Sequence, residues 1–161
     1  VQTALQKYED WLIIDVLGER QCEKERWWIG EELYRKLLAK RGIELEVLDV
    51  RTVTPLDEQT IVDSVKKTRH GVVADYDWTF CGFSAELAAL ISARCFGELA
   101  RPVERLGFAP VPCPTTRPLE NLFYPNALSI IRTAERMLDL EPVDVSGESF
   151  YSHEQRFKGP F

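Results

Sequence analysis

No stretch of this 161-residue chain comes near the roughly 20 consecutive apolar residues that a membrane-spanning helix needs. Val1 to Asp10 also lacks a basic segment leading into an apolar one, so no secretory leader is expected, and the expected location is the cytoplasm. Positive charge is in deficit: 20 lysines and arginines face 26 aspartates and glutamates, a formal net charge of −6, which leaves no basic stripe to displace counterions from nucleic acid. Cysteine and histidine are few and scattered. Cys22, Cys81, Cys95 and Cys113 form no CxxC pair and His70 and His153 stand apart from them, so the spacing offers neither a zinc site nor a disulfide framework. Cys81 and Cys95 are expected as buried or half-buried small residues.

Glycine is missing from the places where phosphate chemistry needs it. The first apolar run, WLIIDVLGERQ, offers only Gly18, so GxGxxG is absent, and no GxxxxGK[ST] occurs elsewhere. Ser84 in GFSAE lacks the second glycine of a nucleophile elbow and any neighbouring histidine. The residues therefore do not describe a complete enzyme. An independent catalytic centre would have to rest on Cys81 with His70, or on Asp77, and nothing in the spacing joins them.

What is present is a core and a rhythm. At 45% hydrophobic residues the chain can fill one globular domain. Trp11 to Val16 reads as a strand, and Cys22 to Arg41 then places Trp27, Tyr34 and Leu38, and Ile29, Leu33 and Leu37, at helical spacing. Lys36, Lys40 and Arg41 followed by Gly42 make a helix end: cations oppose the dipole and glycine takes the left-handed cap. Glu44 to Val50 is a second strand. Thr54 as N-cap, Pro55 at the first helical position and Asp57 at the third predict a helix running to Thr68 with Ile61, Val62 and Val65 inward. Gly71 to Asp75 is a third strand, apolar enough to be buried on both faces. Phe83 to Phe96 is a third helix with Leu87, Leu90 and Ile91 on one side.

Val103 to Gly107 is a short fourth strand. Five prolines between Phe108 and Pro125 predict an extended surface path, and Asn126 to Leu138 a last helix with Leu128, Ile131 and Leu138 inward. The predicted fold is three-layer α/β, a mostly parallel sheet covered by helices on both faces, over residues 1–140. Residues 141–161 are expected to be a C-terminal arm carrying Phe150, Tyr151, Phe157 and Phe161.

In such sheets ligands sit beyond the carboxyl ends of the strands, here near Leu17-Gly18, Arg51 to Asp57, Tyr76 to Ser84 and Phe108 onward. Asp75 to Phe83 (DYDWTFCGF) puts aromatics on a predicted loop there. They either pack on the chain's own helices or form a subunit interface, and the interface candidates are Trp78, Phe80, Phe83, Phe123, Tyr124 and Phe161. Arg51, at the end of the second strand, is a candidate anion contact with a salt bridge or carbonyl contact as its plainer role.

Taken in order, DVRTVTPLDEQTIVDSVKKT, GVVADYDWTFCGFSAELAALI, RPVERLGFAPVPCP and PLENLFYPNALSIIRTAERML resemble the C-terminal domain of the transketolase-like thiamine diphosphate enzymes. The nearest likeness is to the β subunits of 2-oxo acid dehydrogenase E1 components, over about Ile43 to Leu138. Arg51-Thr52, Pro55-Leu56-Asp57, Gly82-Phe83, Ala85-Glu86, Pro118-Leu119-Glu120 and Tyr124-Pro125 are its landmarks. The resemblance implies a non-catalytic assembly or support domain of a thiamine diphosphate-dependent oxidoreductase or transferase, inactive as this chain alone.

Thiamine diphosphate and Mg would belong to the complete enzyme, held by thiamine diphosphate-binding and pyrimidine-binding domains or subunits. No catalytic, cofactor or metal residue carries over onto this chain. The resemblance further implies a homodimer or hetero-oligomer, with the tail aromatics anchored on a neighbouring subunit. Starting at Val1, the chain is expected to be either an excised domain or a separately encoded piece of a split enzyme. GERQCEKERWWIG, longer and more charged than the family's usual turn, and Asp75-Tyr76-Asp77, in place of its acidic pair, are the departures. The alternative from a different class is a stand-alone regulatory or binding module of the same fold. A large exposed patch of Trp78, Phe80, Phe123 and Phe161 would favour the missing partner, and burial within one chain the module.

Overall fold

The computed structural model describes residues 11–15, 31–50, 52–116, 119 and 122–148, with 11–15 and 31–34 described by backbone alone. Among the described residues four strands alternate with four helices of eight residues or more: β1 Trp11–Asp15, α1 Glu31–Ala39, β2 Leu45–Asp49, α2 Glu58–Thr68, β3 Gly71–Trp78, α3 Phe83–Arg94, β4 Glu104–Phe108 and α4 Ala127–Met137. The strands form one sheet in the order β2-β1-β3-β4, and every pairing is parallel. Ile13 lies between Val47 and Val72, and Ile14 between Leu48 and Val73. From β1 inside the sheet the chain steps outward to β2 and returns past β1 to β3, so the direction of winding reverses between β1 and β3.

Alternation along β3 feeds two cores. Val72 and Ala74 join Leu37, Leu38 and Ile43 and the α4 residues Ile130, Ile131 and Ala134 in a first core. Val73 joins Ile61, Val62 and Val65 of α2 and Leu87, Ile91 and Cys95 of α3 in a second. With a side-chain period of 2, neighbouring strand residues must face opposite layers, and a strand covered on both sides must be apolar at both. Gly71 to Ala74 are accordingly all buried, and the predicted three-layer fold is the one observed.

The ends of the elements test the local reading. Gly42 has φ 76°; its N–H donates to the Ala39 carbonyl and that of Ile43 to the Leu38 carbonyl. Those two bonds make a Schellman cap, with Ile43 closing over Leu38 in the first core as the predicted glycine cap requires. α2 starts later than predicted. Its N-cap is Asp57, whose Oδ1 accepts from the Thr60 N–H at 3.2 Å and Oδ2 from the Thr60 hydroxyl at 2.7 Å, so Thr54 and Pro55 lie outside the helix. A carboxylate that satisfies an orphan amide and a hydroxyl together makes the stronger cap.

Other expectations shift as well. β3 runs to Trp78 instead of Asp75, β4 runs from Glu104 to Phe108, and Leu119, Leu122 and Phe123 have helical backbone within the proline-rich path. α4 buries Ala127, Ile130, Ile131, Ala134 and Met137, Leu138 packs half-buried against the first core as expected, and Leu128 is half-buried outside it. Cys95 is buried as expected; Cys81 is exposed, because the tight turn holds it at φ 61° with its side chain outward.

One buried carboxylate closes the first layer. Glu135 of α4 is only 2% exposed, and its Oε1 accepts from Arg41 at 3.2 Å and the Val143 N–H at 2.6 Å, its Oε2 from Arg132 at 2.7 Å. The same arginines reach on to the Glu141 and Val143 carbonyls, so residues 141–143 are tied down from both sides. Leu140, Val143 and Val145 lie against the first core.

Candidate functional site

The carboxyl ends of β3 and β4 carry the densest chemistry among the described residues, beside the point where the winding reverses. Ala74 pairs with Leu106 and Trp78 with Phe108, so four steps along β3 match two along β4. Asp75 to Asp77 bulge over Gly107. A Cβ on Gly107 would stand 2.5 Å from the Asp77 carbonyl oxygen, and one on Gly82 would stand 2.0 Å from that of Trp78. Only glycine lets the strand bulge and then turn back into α3 at these two positions.

The bulge keeps the faces in register and sorts the side chains by chemistry. Tyr76 and Trp78 fall on the first-core side, where they meet Phe108, Phe123 and Tyr124. Tyr76 stacks on Tyr124 with centroids 5.1 Å apart, Phe108 on Phe123 at 4.9 Å, and Trp78 sets its edge against both phenylalanines at 5.6 and 5.7 Å. Each such pair is worth ~1 kcal/mol beyond its buried area. The Ala109 N–H donates to the Phe123 carbonyl at 2.9 Å, which fixes the 122–124 segment on the end of β4. Cys113, exposed, has its sulfur 3.5 Å from the Tyr124 hydroxyl.

On the opposite face Asp75, 6% exposed, accepts from the Ser84 N–H at 3.2 Å and so serves the N-terminus of α3, which Gly82 leaves without a side-chain cap. Burial raises the Asp75 pKa above the usual carboxylate value, the Ser84 amide opposes that, and neighbouring Asp77 adds to it. The Ser84 hydroxyl is buried with no hydrogen-bond partner among the described residues.

Exposure grades outward across the cluster. Phe123 is 3% exposed, Trp78 40% and Phe80, at the tip of the turn, 85%, and Val111, Leu119 and Leu122 are exposed as well. The rings predicted as interface residues thus divide. Trp78, Phe123 and Tyr124 come together, Phe80 projects beyond them, and Phe83 lies in the first turn of α3, half-buried against the second core. Phe161 and Arg51 lie outside the described residues, as do Trp27 and Trp28. Tyr76, within the DYDWTFCGF segment, and Leu122 carry an interface reading from the sequence beside their packing one, whereas Phe108 carries none. The signal for Phe108 was its place directly after the one glycine of β4, two residues beyond inward-facing Leu106.

Cys81 and His70 flank opposite ends of β3, and eight strand residues at ~3.3 Å each put them roughly 25 Å apart. His70 does not reach that thiol, and the independent catalytic reading of the pair is overturned. Two recesses among the described residues lie elsewhere, one at the start of α2 beside Arg94 and one along β2. Both are shallow and polar. Nor do the N-termini of α2, α3 and α4 offer an anion site, since Asp57, Asp75 and Asn126 already serve them. No three His, Cys, Asp or Glu side chains converge on a metal position among the described residues.

The family model described as "Transketolase, C-terminal domain" matches residues 34–130. Over 102 residues the chain is 39% identical to "Pyruvate dehydrogenase E1 component subunit beta, mitochondrial" of Dictyostelium discoideum, covering 63% of this chain and 29% of that protein. It is 38% identical over 101 residues to "Pyruvate dehydrogenase E1 component subunit beta" of Rickettsia bellii, covering 63% and 31%. With "Acetoin:2,6-dichlorophenolindophenol oxidoreductase subunit beta" of Cupriavidus necator it shares 35% identity over 101 residues, covering 63% and 30%. The match thus spans less than a third of the length of these curated relatives. Among solved structures, "Split gene transketolase, inactive beta4 tetramer" superposes with a TM-score of 0.59 at 19% identity, over 85% of this chain and 41% of that one. That likeness is one of fold.

Proposed function

The chain belongs to the transketolase C-terminal domain family, and from that premise we propose that it is a non-catalytic assembly and support domain of a thiamine diphosphate-dependent enzyme. Within that class we favour the β subunit of a 2-oxo acid dehydrogenase E1 over a transketolase-like enzyme, because the similar proteins of Dictyostelium discoideum and Rickettsia bellii are named as pyruvate dehydrogenase E1 β subunits. One observation carries the assembly role. Tyr76, Trp78, Phe108, Phe123 and Tyr124 pack as a cluster of five rings in which Trp78 is partly exposed, and Phe80 and Leu122, next to it in sequence, stand exposed as anchors at an interface do. Phe123 is covered by its own chain, as the stand-alone module would have it, but Phe80 and Leu122 are not.

The residues present do not fit thiamine diphosphate or Mg. A diphosphate brought to α3 would meet the Asp75 carboxylate where it needs bare amides, and no acidic cluster waits for a metal among the described residues. We therefore place both in other domains or subunits of the complete enzyme and route no step through this chain. Trp78, Phe80 and Tyr124 would contact a second copy or a partner subunit, Phe123 would support them from beneath, and Phe83, Phe161 and Arg51 stay as interface and anion-contact proposals from the sequence. The division into a domain at 1–140 and an arm at 141–161 is kept as a proposal, with the root of the arm seated on the first core through Val143 and Val145. No helix among the described residues is long and apolar enough to cross a membrane. A cytoplasmic location is our proposal, and cell fractionation decides between it and the mitochondrial location named for some relatives.

Sedimentation and activity test this reading together. The full chain should form a defined oligomer, alone or with a subunit carrying thiamine diphosphate-binding and pyrimidine-binding domains, and the assembly should decarboxylate a 2-oxo acid while the chain alone does not. Phe80→Asp should weaken that association by at least about tenfold, the scale of one interface anchor. A chain that stays monomeric with and without such a subunit, or that binds thiamine diphosphate alone, overturns the proposal.

A further inference from the structure

Residues 140–145 are held by three charged side chains that balance one another without them. Arg132 and Glu135 lie one turn apart on α4, and Arg41 comes from the end of α1; Glu135 pairs with Arg41 at 3.2 Å and with Arg132 at 2.7 Å. None of the three belongs to the segment they hold. What the segment offers in return is main chain: the Val143 N–H donates to Glu135 at 2.6 Å, the Val143 carbonyl accepts from Arg132 at 3.1 Å, and the Glu141 carbonyl accepts from Arg41. Leu140, Val143 and Val145 pack half-buried against the first core, while Glu141, Pro142 and Asp144 stay exposed.

The segment is also set off from the helix before it. Asp139 takes φ 54°, the left-handed region, and the Leu140 N–H donates to the Glu135 carbonyl at 2.9 Å, so α4 is closed before the segment begins. The Asp139 carboxylate pairs with Arg101, both of them exposed. Residues 140–145 take no part in the four-stranded sheet. A segment held by a few apolar contacts and by bonds to partly hydrated arginines opens at a lower free energy than the core it covers.

We propose that Arg41, Glu135 and Arg132 form a clip for an extended peptide main chain, and that residues 140–145 fill it as a strap that opens as a unit while the rest of the domain stays folded. The clip reads one N–H and two carbonyls. The first core selects aliphatic side chains at the first, fourth and sixth positions of the peptide, which Leu140, Val143 and Val145 supply. This inference does not rest on the assembly reading given above.

Native-state hydrogen exchange on the full chain is the first test. The Val143 amide should exchange at least about a hundredfold faster than the amides of Val72 to Ala74, at a rate that changes little in urea below the unfolding transition. Exchange of Val143 in step with those β3 amides at every urea concentration overturns the strap, as does exchange at the rate of an unstructured chain.

Peptide binding is the second test. Val143→Asp in the full chain should expel the strap and leave β3 protected; Val143→Pro, which removes the amide and keeps an apolar side chain, takes its place if β3 protection is lost. The probe is a synthetic peptide of residues 140–145, blocked at both ends and titrated calorimetrically. It should bind the opened chain, and bind wild type more weakly by the fraction of time the strap is open, a fraction that the Val143 exchange rate gives independently. The same peptide with N-methylvaline at the Val143 position should bind at least about tenfold more weakly, because the buried Glu135 oxygen loses that donor. No binding to the opened chain, equal binding to wild type and opened chain, or equal binding of the N-methyl peptide overturns the clip.

Discussion

Two buried carboxylates, one in each half of the sandwich, are treated in opposite ways. Glu135 in the first layer is surrounded by donors: two guanidiniums and a backbone N–H share its two oxygens, and the strap at 141–143 closes around it. Asp75, on the second-layer face of β3, has the Ser84 and Tyr76 amides, a second carboxylate close by on Asp77, and beside it a Ser84 hydroxyl that finds no partner among the described residues. A buried polar group costs little when fully satisfied and several times more when partly so. The molecule therefore satisfies the site that only holds it together and leaves the incompletely satisfied one under the turn at the strand ends.

The largest break in that comparison should come from Glu135→Gln. The neutral amide leaves two guanidiniums without their counter-charge, and we expect a loss of about 3 kcal/mol in urea unfolding at neutral pH. That is the lower end of the usual range, since both arginines keep part of their surface in water. A loss under about 1 kcal/mol would mean that the strap, with its apolar contacts, holds without the carboxylate.

Asp75→Asn should give a smaller effect whose size depends on pH. Because burial raises the Asp75 pKa in the folded state, the folded chain holds that proton more readily than the unfolded one. Its contribution is fully present below the unfolded value and is lost as pH rises through the folded one. The stability advantage of wild type over Asp75→Asn should therefore be largest near pH 4 and shrink toward neutrality, as read from paired denaturation curves. A gap that widens toward neutral pH would mean that the anion's bond to the α3 N-terminus outweighs its desolvation.

Ser84→Ala should be the mildest change, within about 0.5 kcal/mol of wild type in either direction, because it removes a hydroxyl that satisfies nothing. Thr68→Ala is its control. That hydroxyl bonds the Ser64 carbonyl at 2.9 Å and the His70 carbonyl at 3.0 Å, and its loss should cost about 1 kcal/mol. Equal effects at the two positions would erase the contrast.

Much of the scaffold was legible in the residues. Gly42 after Lys40 and Arg41 marked the end of α1 because left-handed backbone and terminal carbonyls select those residue types locally. Gly71 to Ala74 read as a doubly buried strand because no polar residue interrupts them. The start of α2 was read wrongly: Thr54-Pro55 has the residue types of a helix start, but Asp57 is the N-cap because its two oxygens reach Thr60.

The site was only half visible for a similar reason. Trp78, Phe123 and Tyr124 could be named as aromatics near strand ends, but the extension of β3 past Asp75 depends on a bulge that exists only because Gly107 of another strand leaves room for it. Glu135 gave no signal at all: its partners Arg41 and Val143 lie 94 and 8 residues away, and in isolation it reads as a solvated residue of a surface helix.

By itself, then, the sequence determined the order of elements, the layers and the family, since these follow from periodicities of 2 and 3.6 residues, from caps, and from landmark residues strung in one order. Only the tertiary structure decided which aromatics are covered and which are presented, which carboxylate is satisfied, and where β3 ends. Each of those depends on groups brought together from distant parts of the chain, and no local pattern encodes the space one strand leaves for another.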